Sequence, residues 1–261
     1  MEGYVWINGS FVPAEEAVVS VFDPGFLFGE GVFTTICVNQ GRIECIPLHL
    51  RRLAEQCSEL GLPRPIIQRA KLAELVQRNK ADSHFWRLKL GVTLETQFAF
   101  LLPYSMPKNA SRLGVYPSSI HSPHSHLKTL SYLDHLQVHR WAKQHHFDDA
   151  VLLSEEGFLL EAAFSNVFWI EDQTFYSPCN DLSLLQGIAL TGVQEITQNW
   201  GWSQQKGKYR LEDLPSQVQL FTCNALTGPR PVATLSGREL AIDLEFSEQL
   251  QHAYRGWAVS R

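Results

Sequence analysis

The spacing of hydrophobic and polar positions predicts short strands and amphipathic helices in the first hundred residues. Apolar runs flank Asn8-Gly9 and the turn at 39–41, and Asn-Gly supplies the positive φ angles of a tight hairpin. A helical pattern follows and ends at a glycine and a proline, with its apolar positions at Leu50, Leu53, Cys57 and Leu60. A second helical pattern covers 66–80, and strand-like runs cover 85–94 and 96–105. These patterns predict an α+β arrangement.

The second half of the chain repeats the mixture of strands and helices after a polar, proline-containing connection. The pattern predicts a helix over about 129–146, a strand, turn and strand over 149–170, a helix over 191–202, a strand over 218–226 and a terminal helix from about Ser247. We therefore predict an α/β (α+β) protein of two domains. The predicted bounds are 1–110 for a small domain, 111–120 for a linker and 121–261 for a larger domain.

Composition and charge exclude several classes of function. The 261 residues carry a net charge of -5 with 19% charged side chains, so no basic field favours nucleic acid as a partner. No stretch of 18 apolar residues predicts a membrane span, and the first residues do not resemble a signal peptide. The five cysteines lack CxxC spacing, which favours a soluble protein of the reducing cytoplasm with buried thiols.

Lys128 is the first candidate for chemistry. It lies between Leu127 and Leu130, so its amine either extends to water or is desolvated with a lowered pKa. A desolvated lysine suits Schiff-base chemistry, whereas most lysines in such places reach solvent. The nearby His121, His124 and His126 lack a Cys or Glu at zinc-site spacing, and we expect no metal.

Three further features indicate a binding site more strongly together than separately. Glu161 lies in an apolar run, where a carboxylate requires a cationic partner, either a pyridinium nitrogen or a structural ion pair. Gly187 precedes a helix whose free N–H groups could bind phosphate. Arg52 could supply the matching cation or lie at the surface. The glycines of "GFLFGEGVFTT" (25–35) lack dinucleotide-motif spacing and favour close approach of a ligand or a second subunit.

In this order, these segments resemble the fold-type IV pyridoxal-phosphate enzymes, which include branched-chain and D-amino acid aminotransferases and 4-amino-4-deoxychorismate lyases. The resemblance extends from the Asn8-Gly9 hairpin to "PVATL" at 231–235. It implies pyridoxal 5'-phosphate as cofactor and a D-amino acid aminotransferase-like fold with the site between domains. It also implies a homodimer whose subunits contribute loops across the interface. "GFLFGEGVFTT" is similar to the family's Gly-Asp-Gly-Val-Phe-Glu-Thr signature, with Glu30 at the acidic position.

The resemblance also implies a role for individual residues. Lys128 would form the Schiff base and act as general base, and Glu161 would contact the pyridine nitrogen. The other implied cofactor contacts are Arg52, Tyr132, Leu185, Gly187, Ile188, Ala189, Asn224 and Ala225. Phe28 is an implied substrate contact, and Thr35 is a candidate proton donor to the leaving group.

Two departures from the family pattern concern anion binding. The phosphate loop reads "GIAL", without the usual hydroxyl and arginine, so phosphate would depend on backbone amides and Arg52. The stretch "GVTLETQFAFLLPY" lacks the arginine- and glycine-rich loop of many relatives, so the substrate carboxylates need other partners. Arg87 and Lys89 alternate onto one strand face and are our candidates, whereas the alternative for either is a surface charge.

The sequence favours the lyase branch of the family. "FTCNALTG" has Cys-Asn-Ala-Leu where aminotransferases carry Gly-Thr-Ala, and "VFTT" replaces the common Phe-Glu-Thr. We therefore expect 4-amino-4-deoxychorismate to be converted to 4-aminobenzoate and pyruvate, a step toward folate. The alternatives are an aminotransferase for branched-chain or D-amino acids and a non-catalytic descendant.

Overall fold

The computed structural model describes residues 3–120 and 122–261, and the chain divides into two compact units. The first unit comprises 1–106, 127–132 and 258–261, and the second comprises 107–126 and 133–257. The predicted larger domain was to contain Lys128, yet this residue belongs to the first unit. The predicted linker 111–120 is wrong in its first half, since Ser111–Val115 is a strand hydrogen-bonded on both sides.

A six-stranded antiparallel sheet forms the centre of the first unit. Its strand order is β2-β1-β6-β5-β3-β4. The strands are β1 (Tyr4–Ile7), β2 (Ser10–Pro13), β3 (Gly31–Asn39), β4 (Arg42–Ile43), β5 (Phe85–Thr93) and β6 (Gln97–Tyr104), and the helices are α1 (Pro24–Phe28), α2 (Ile46–Glu59) and α3 (Arg69–Arg78). The predicted turns at Asn8-Gly9 and 39–41 are confirmed. Leu53, Leu72 and Leu88 belong to the buried core of this unit.

The second unit is built on a nine-stranded sheet. Its strands are β7 (Ser111–Val115), β8 (Asp149–Leu153), β9 (Leu159–Ala162), β10 (Asn166–Glu171), β11 (Thr174–Pro178), β12 (Ser203–Gly207), β13 (Gln219–Asn224), β14 (Gly228–Leu235) and β15 (Arg238–Glu239). The helices are α4 (Leu133–Gln144), α5 (Ile188–Asn199) and α6 (Leu244–Ser260), and single 3-10 turns occur at Ala14–Glu16 and Leu211–Asp213 along the chain.

Six strands of the second unit close into a barrel. The order runs β10-β13-β14-β7-β8-β9, and β9 pairs back with β10 through Glu161 and Asn166. Closure removes the open sheet edges at this point. Glu161 therefore lies at the closing pair of the barrel, where its backbone position is fixed from both sides.

No helix in the described part of the chain is both long enough and apolar enough to cross a membrane.

Candidate active site

The Lys128 segment is extended and pairs with the start of β3. Phe33 N donates to the carbonyl of Lys128 at 2.9 Å, and Leu130 N donates to the carbonyl of Gly31 at 2.8 Å. Val32 and Thr129 form an isolated bridge between these hydrogen bonds. The prediction of a helix from about Thr129 is thus wrong, because backbone pairing with β3 delays the helix to Leu133.

Gly31 permits this close pairing. A Cβ atom at Gly31 would lie 2.6 Å from a methyl group of Leu130 and 2.7 Å from the carbonyl oxygen of Val92. A side chain would therefore press on the backbone of β5 and displace the end of the Leu130 side chain. At this position the glycine leaves room for the Leu130 side chain, and the approach of a ligand or a second subunit to the motif stays a prediction.

The Lys128 amine lies beside two aromatic rings and a hydroxyl group. Its Nζ atom is 3.2 Å from the Tyr132 hydroxyl and about 5 Å from two ring centroids, at 4.9 Å from Phe33 and 5.1 Å from Tyr132. The two rings contact each other edge to face at 5.1 Å. The structure therefore brings the predicted residues Lys128 and Tyr132 together, although the intervening backbone is not helical.

Arg52, on α2, belongs to a polar chain that the sequence analysis did not predict. Its Nη2 donates to the Thr34 hydroxyl at 2.9 Å, and that oxygen is 2.6 Å from Nδ1 of His49. Burial lowers the pKa of Arg52 to about 10, although the Tyr132 hydroxyl acts in the opposite direction. Arg52 makes no ion pair within the described residues, and its Nε is buried without a hydrogen-bond partner among them.

Lys89 and Arg87 lie on β5 opposite the predicted proton donor. Lys89 is the cross-strand partner of Thr35, and its Nζ is 4.2 Å from the centre of the Phe33 ring. Burial, followed by the charge of Arg87, lowers the pKa of Lys89. Arg87 Nε is buried and has no hydrogen-bond partner among the residues described. The Phe33 ring thus has two lysine amines near it, those of Lys89 and Lys128.

Phe28, the predicted substrate contact, is 74% exposed on α1. Asp23 holds this short helix in place, because its buried carboxylate accepts hydrogen bonds from Gly25 N and from the hydroxyl groups of Thr93 and Thr96. Several apolar neighbours are exposed as well, namely Val18, Val19, Val21, Phe22, Phe26 and Leu27. The residues before β3 therefore present an apolar surface, here called the α1 surface (Val18–Phe28).

In the second unit, Glu161 is linked to the loop before α5. Only 6% of Glu161 is exposed. Its carboxylate accepts from Leu185 N and from the amide group of Asn166, each at 3.3 Å, and the same Asn166 amide donates to the Leu185 carbonyl at 2.6 Å. The structure therefore brings Glu161 and Leu185 together through Asn166, which the sequence analysis did not single out.

Gly187 is the N-cap of α5, as predicted, and Ile188 and Ala189 are its first two residues. The helix has no side-chain cap at this end, so the first N–H groups remain donors for an anion. A Cβ atom on Gly187 would overlap the side-chain oxygen of Asn166. Glycine is therefore required where this loop packs on the Glu161–Asn166 pair.

Asn224 organises the turn that contains Ala225. Its side-chain oxygen accepts from the backbone N–H groups of Leu226 and Thr227, and its amide donates to the Ser165 hydroxyl. This use of Asx-type hydrogen bonds fixes the turn between β13 and β14. The Asn224 side chain thus holds this turn, and its contact with the cofactor stays a prediction.

No metal centre is found among the residues that the structure describes. His124 and His126 do not take part in any group of three potential ligands. The predicted histidine triplet also includes His121, which lies outside the described residues.

Comparison with known proteins supplies the context for these residues. The family model described as "Amino-transferase class IV" matches residues 31–235, a span that contains Arg52, Lys128 and Glu161. A relative from Bacillus subtilis named aminodeoxychorismate lyase is 25% identical over 85% of this chain and 83% of its own. A D-alanine aminotransferase from Staphylococcus epidermidis is 24% identical over 90% of each chain.

The fold is shared with solved structures of such enzymes. The branched-chain aminotransferase from Thermoproteus uzoniensis superimposes with a TM-score of 0.90 at 19% identity, covering 100% of this chain and 96% of its own. The predicted mixed α/β fold of fold-type IV is therefore confirmed.

Proposed function

This chain belongs to the amino-transferase class IV family, and on that basis we propose that it is a pyridoxal-phosphate-dependent lyase. Its reaction converts 4-amino-4-deoxychorismate to 4-aminobenzoate and pyruvate. The observation that carries the proposal is the Lys128 amine beside the Tyr132 hydroxyl, in a chain whose Bacillus subtilis relative is named a lyase. The Cys-Asn-Ala-Leu turn at 223–226 supports the lyase over the aminotransferase.

The residues present fit pyridoxal 5'-phosphate, the cofactor of this family. The partly buried Arg52 has an unpaired Nε donor and no ion-pair partner among the residues described, so it suits an anionic phosphate. The uncapped start of α5, in the second unit, has backbone donors of the kind that bind phosphate. Glu161 is a buried carboxylate that suits a protonated ring nitrogen.

In the proposed mechanism, the bound cofactor supplies an electron sink for the carbon that carries the substrate amine. Lys128 would hold the cofactor and, once freed from it, would act as the base that takes the proton from that carbon. Glu161 keeps the proton on the ring nitrogen, and Tyr132 donates a hydrogen bond near the amine. The carbon–oxygen bond to the enolpyruvyl group then breaks, the ring becomes aromatic, and enolpyruvate takes up a proton to become pyruvate.

The proton for the departing group comes from this chain as well. Lys128 carries a proton after it has acted as base and can return it. Thr35, whose backbone is fixed opposite Lys89, is the second candidate. In either case the protein donates one proton for the one that it removed.

The decisive experiment supplies the cofactor-loaded protein with 4-amino-4-deoxychorismate and follows 4-aminobenzoate by its fluorescence. Formation of product at a rate proportional to enzyme concentration is the expected result. A protein that forms no product but transfers the amino group of D-alanine or a branched-chain amino acid to a keto acid would be an aminotransferase instead. A protein that binds the cofactor and performs neither reaction would be a non-catalytic relative.

Lys89 and Arg87 are proposed to bind the substrate carboxylates. Replacing Lys89 with methionine keeps the length of the side chain but removes its charge. We expect KM to rise about 10- to 100-fold with a smaller change in kcat, since a charged hydrogen bond is lost in both ground and transition states. The measurement is steady-state kinetics with 4-amino-4-deoxychorismate, with the exposed Lys143→Met as matched control. An unchanged KM would remove Lys89 from the carboxylate site.

The α1 surface is proposed to pack against a second copy of the chain. Phe22 and Phe28 are 78% and 74% exposed, and exposed apolar surface of this kind marks interaction sites. A homodimer would bury these rings and place Phe28 at a protein interface. Analytical ultracentrifugation should give a mass twice that of the chain. A monomer at micromolar concentration would contradict this part of the proposal.

We also propose that the protein works in the cytoplasm. All five cysteines are free thiols, and four of them are buried. Reducing conditions suit this set, because no disulfide stabilises the fold. Fractionation of cells that express the tagged protein tests the assignment, and recovery from the membrane or periplasm would contradict it.

A further inference from the structure

Two members of the polar chain, Thr34 and His49, have no role in the function proposed above. Thr34, on β3, is fully buried, and His49, on α2, is 1% exposed. The Thr34 hydroxyl accepts from Arg52 Nη2 and is also 2.6 Å from His49 Nδ1. The buried Thr34 and His49 therefore form an ordered hydrogen-bond network with the Arg52 cation.

The direction of these hydrogen bonds follows from the groups involved. A guanidinium can only donate, so the Thr34 oxygen is the acceptor toward Arg52. We assign the single hydroxyl proton of Thr34 to His49 Nδ1, which then accepts it as the unprotonated nitrogen of a neutral ring. Burial, together with the charges of Arg52 and Lys128, holds the pKa of His49 well below its ordinary value of 6.5, which agrees with a neutral ring.

Thr34 replaces an acidic residue of the family signature. In the resemblance described above, Phe-Thr-Thr stands where Phe-Glu-Thr is common, so Thr34 occupies the position of the glutamate. A carboxylate there would neutralise a neighbouring arginine, whereas a hydroxyl can orient Arg52 and leave its charge intact. The charge of Arg52 matters more because the phosphate loop reads "GIAL" and itself provides neither a hydroxyl nor an arginine.

We propose that Thr34 and His49 are positioning residues for Arg52, and that they fix the guanidinium for bidentate binding of a phosphate monoester. His49 holds the Thr34 hydroxyl, and Thr34 holds one Nη of Arg52. The buried Nε then gains an acceptor when the phosphate binds. The inference rests on the proposed function only in that pyridoxal phosphate is the ligand. It does not depend on which reaction the protein catalyses.

The test compares binding of pyridoxal phosphate with binding of pyridoxal, which lacks the phosphate group. Both dissociation constants are measured by absorbance titration for the wild type, Thr34→Val and Thr34→Ser. Thr34→Val should raise the dissociation constant of pyridoxal phosphate about 10- to 100-fold, since a hydrogen bond to a charged group is lost. The same variant should change the dissociation constant of pyridoxal by less than about twofold, because pyridoxal has no phosphate for Arg52 to bind. Thr34→Ser, which retains the hydroxyl, should restore the wild-type preference.

Valine is nearly isosteric with threonine, and the melting temperature of each variant shows whether it is folded. His49→Asn, whose side-chain oxygen can accept from Thr34, and His49→Leu, which cannot, provide a second pair. His49→Asn should retain the preference for the phosphate, and His49→Leu should lose it. An equal loss of affinity for both ligands in Thr34→Val would show a merely structural role. Unchanged affinity for pyridoxal phosphate would overturn the proposal.

The outcome is separable from that of the proposed function. A wild type that prefers pyridoxal phosphate to pyridoxal, loses the preference in Thr34→Val and forms no 4-aminobenzoate would support this inference and contradict the lyase. A wild type that binds both ligands equally would contradict the inference, whatever reaction the protein catalyses.

Discussion

Replacing Lys128 with alanine is expected to abolish turnover while the protein stays folded. The amine has two roles in the proposed mechanism, since it holds the cofactor and serves as the base for the substrate proton. General-base catalysis alone contributes about 10²- to 10⁴-fold, so we expect a rate at least about 10⁴-fold lower when both roles are lost. The measurement is 4-aminobenzoate formation at saturating cofactor and substrate.

The role of this particular lysine can be seen without turnover. Borohydride treatment of the loaded wild type should leave a cofactor-derived mass on the peptide that contains Lys128, and Lys128→Ala should carry none. Lys143→Ala, at an exposed lysine of α4, is the matched control and should retain both the label and the activity. Near-normal activity of Lys128→Ala, or labelling of another lysine in the wild type, would contradict the mechanism.

Glu161→Gln is expected to lower kcat about 10²- to 10³-fold, the usual cost of losing one preorganised electrostatic contact at a reacting centre. Glutamine has the same length and can still accept the hydrogen bond that Leu185 N donates. What it lacks is the negative charge that would keep a proton on the ring nitrogen. We therefore expect removal of the substrate proton to become slower while the cofactor remains bound.

The isotope effect identifies the step that Glu161 controls. Substrate deuterated at the amine-bearing carbon should show a larger isotope effect on kcat in Glu161→Gln than in the wild type. Glu195→Gln is a matched control, because Glu195 is a partly buried glutamate that accepts a hydrogen bond from Trp257. Unchanged kinetics and an unchanged isotope effect in Glu161→Gln would count against the contact with the ring nitrogen.

Local turn chemistry explains why parts of the fold could be predicted from the sequence. Asn8 and Gly9 both adopt positive φ, as does Gly41 in the second hairpin, and few other residues do so without strain. Gly187 likewise marked the start of α5 because glycine is suited to a helix boundary without a side-chain cap. These features depend on two or three neighbouring residues, which the sequence displays directly.

Features that depend on distant segments could not be predicted in this way. Thr129 lies in an apparently helical pattern, but its backbone pairs with Val32, almost a hundred positions away in the sequence. His49 and Thr34 look like an ordinary helix residue and an ordinary strand residue. Their hydrogen bond to each other becomes visible only when α2 is packed on β3. Arg52 was predicted, whereas the residues that orient it were not.

The link between Glu161 and the loop before α5 has a consequence for selectivity. Hydrogen bonds through Asn166 tie the carboxylate proposed for the ring nitrogen to the residues proposed for the phosphate, and Gly187 packs directly against the Asn166 side chain. If these residues bind the cofactor as proposed, the fixed distance between them would select a pyridine phosphate of one length. The aldehyde and amine forms of the cofactor have the same length from nitrogen to phosphate, so this distance would not distinguish them. The choice between eliminating a group and transferring an amine would then depend on the residues proposed to bind the substrate, foremost Arg87 and Lys89.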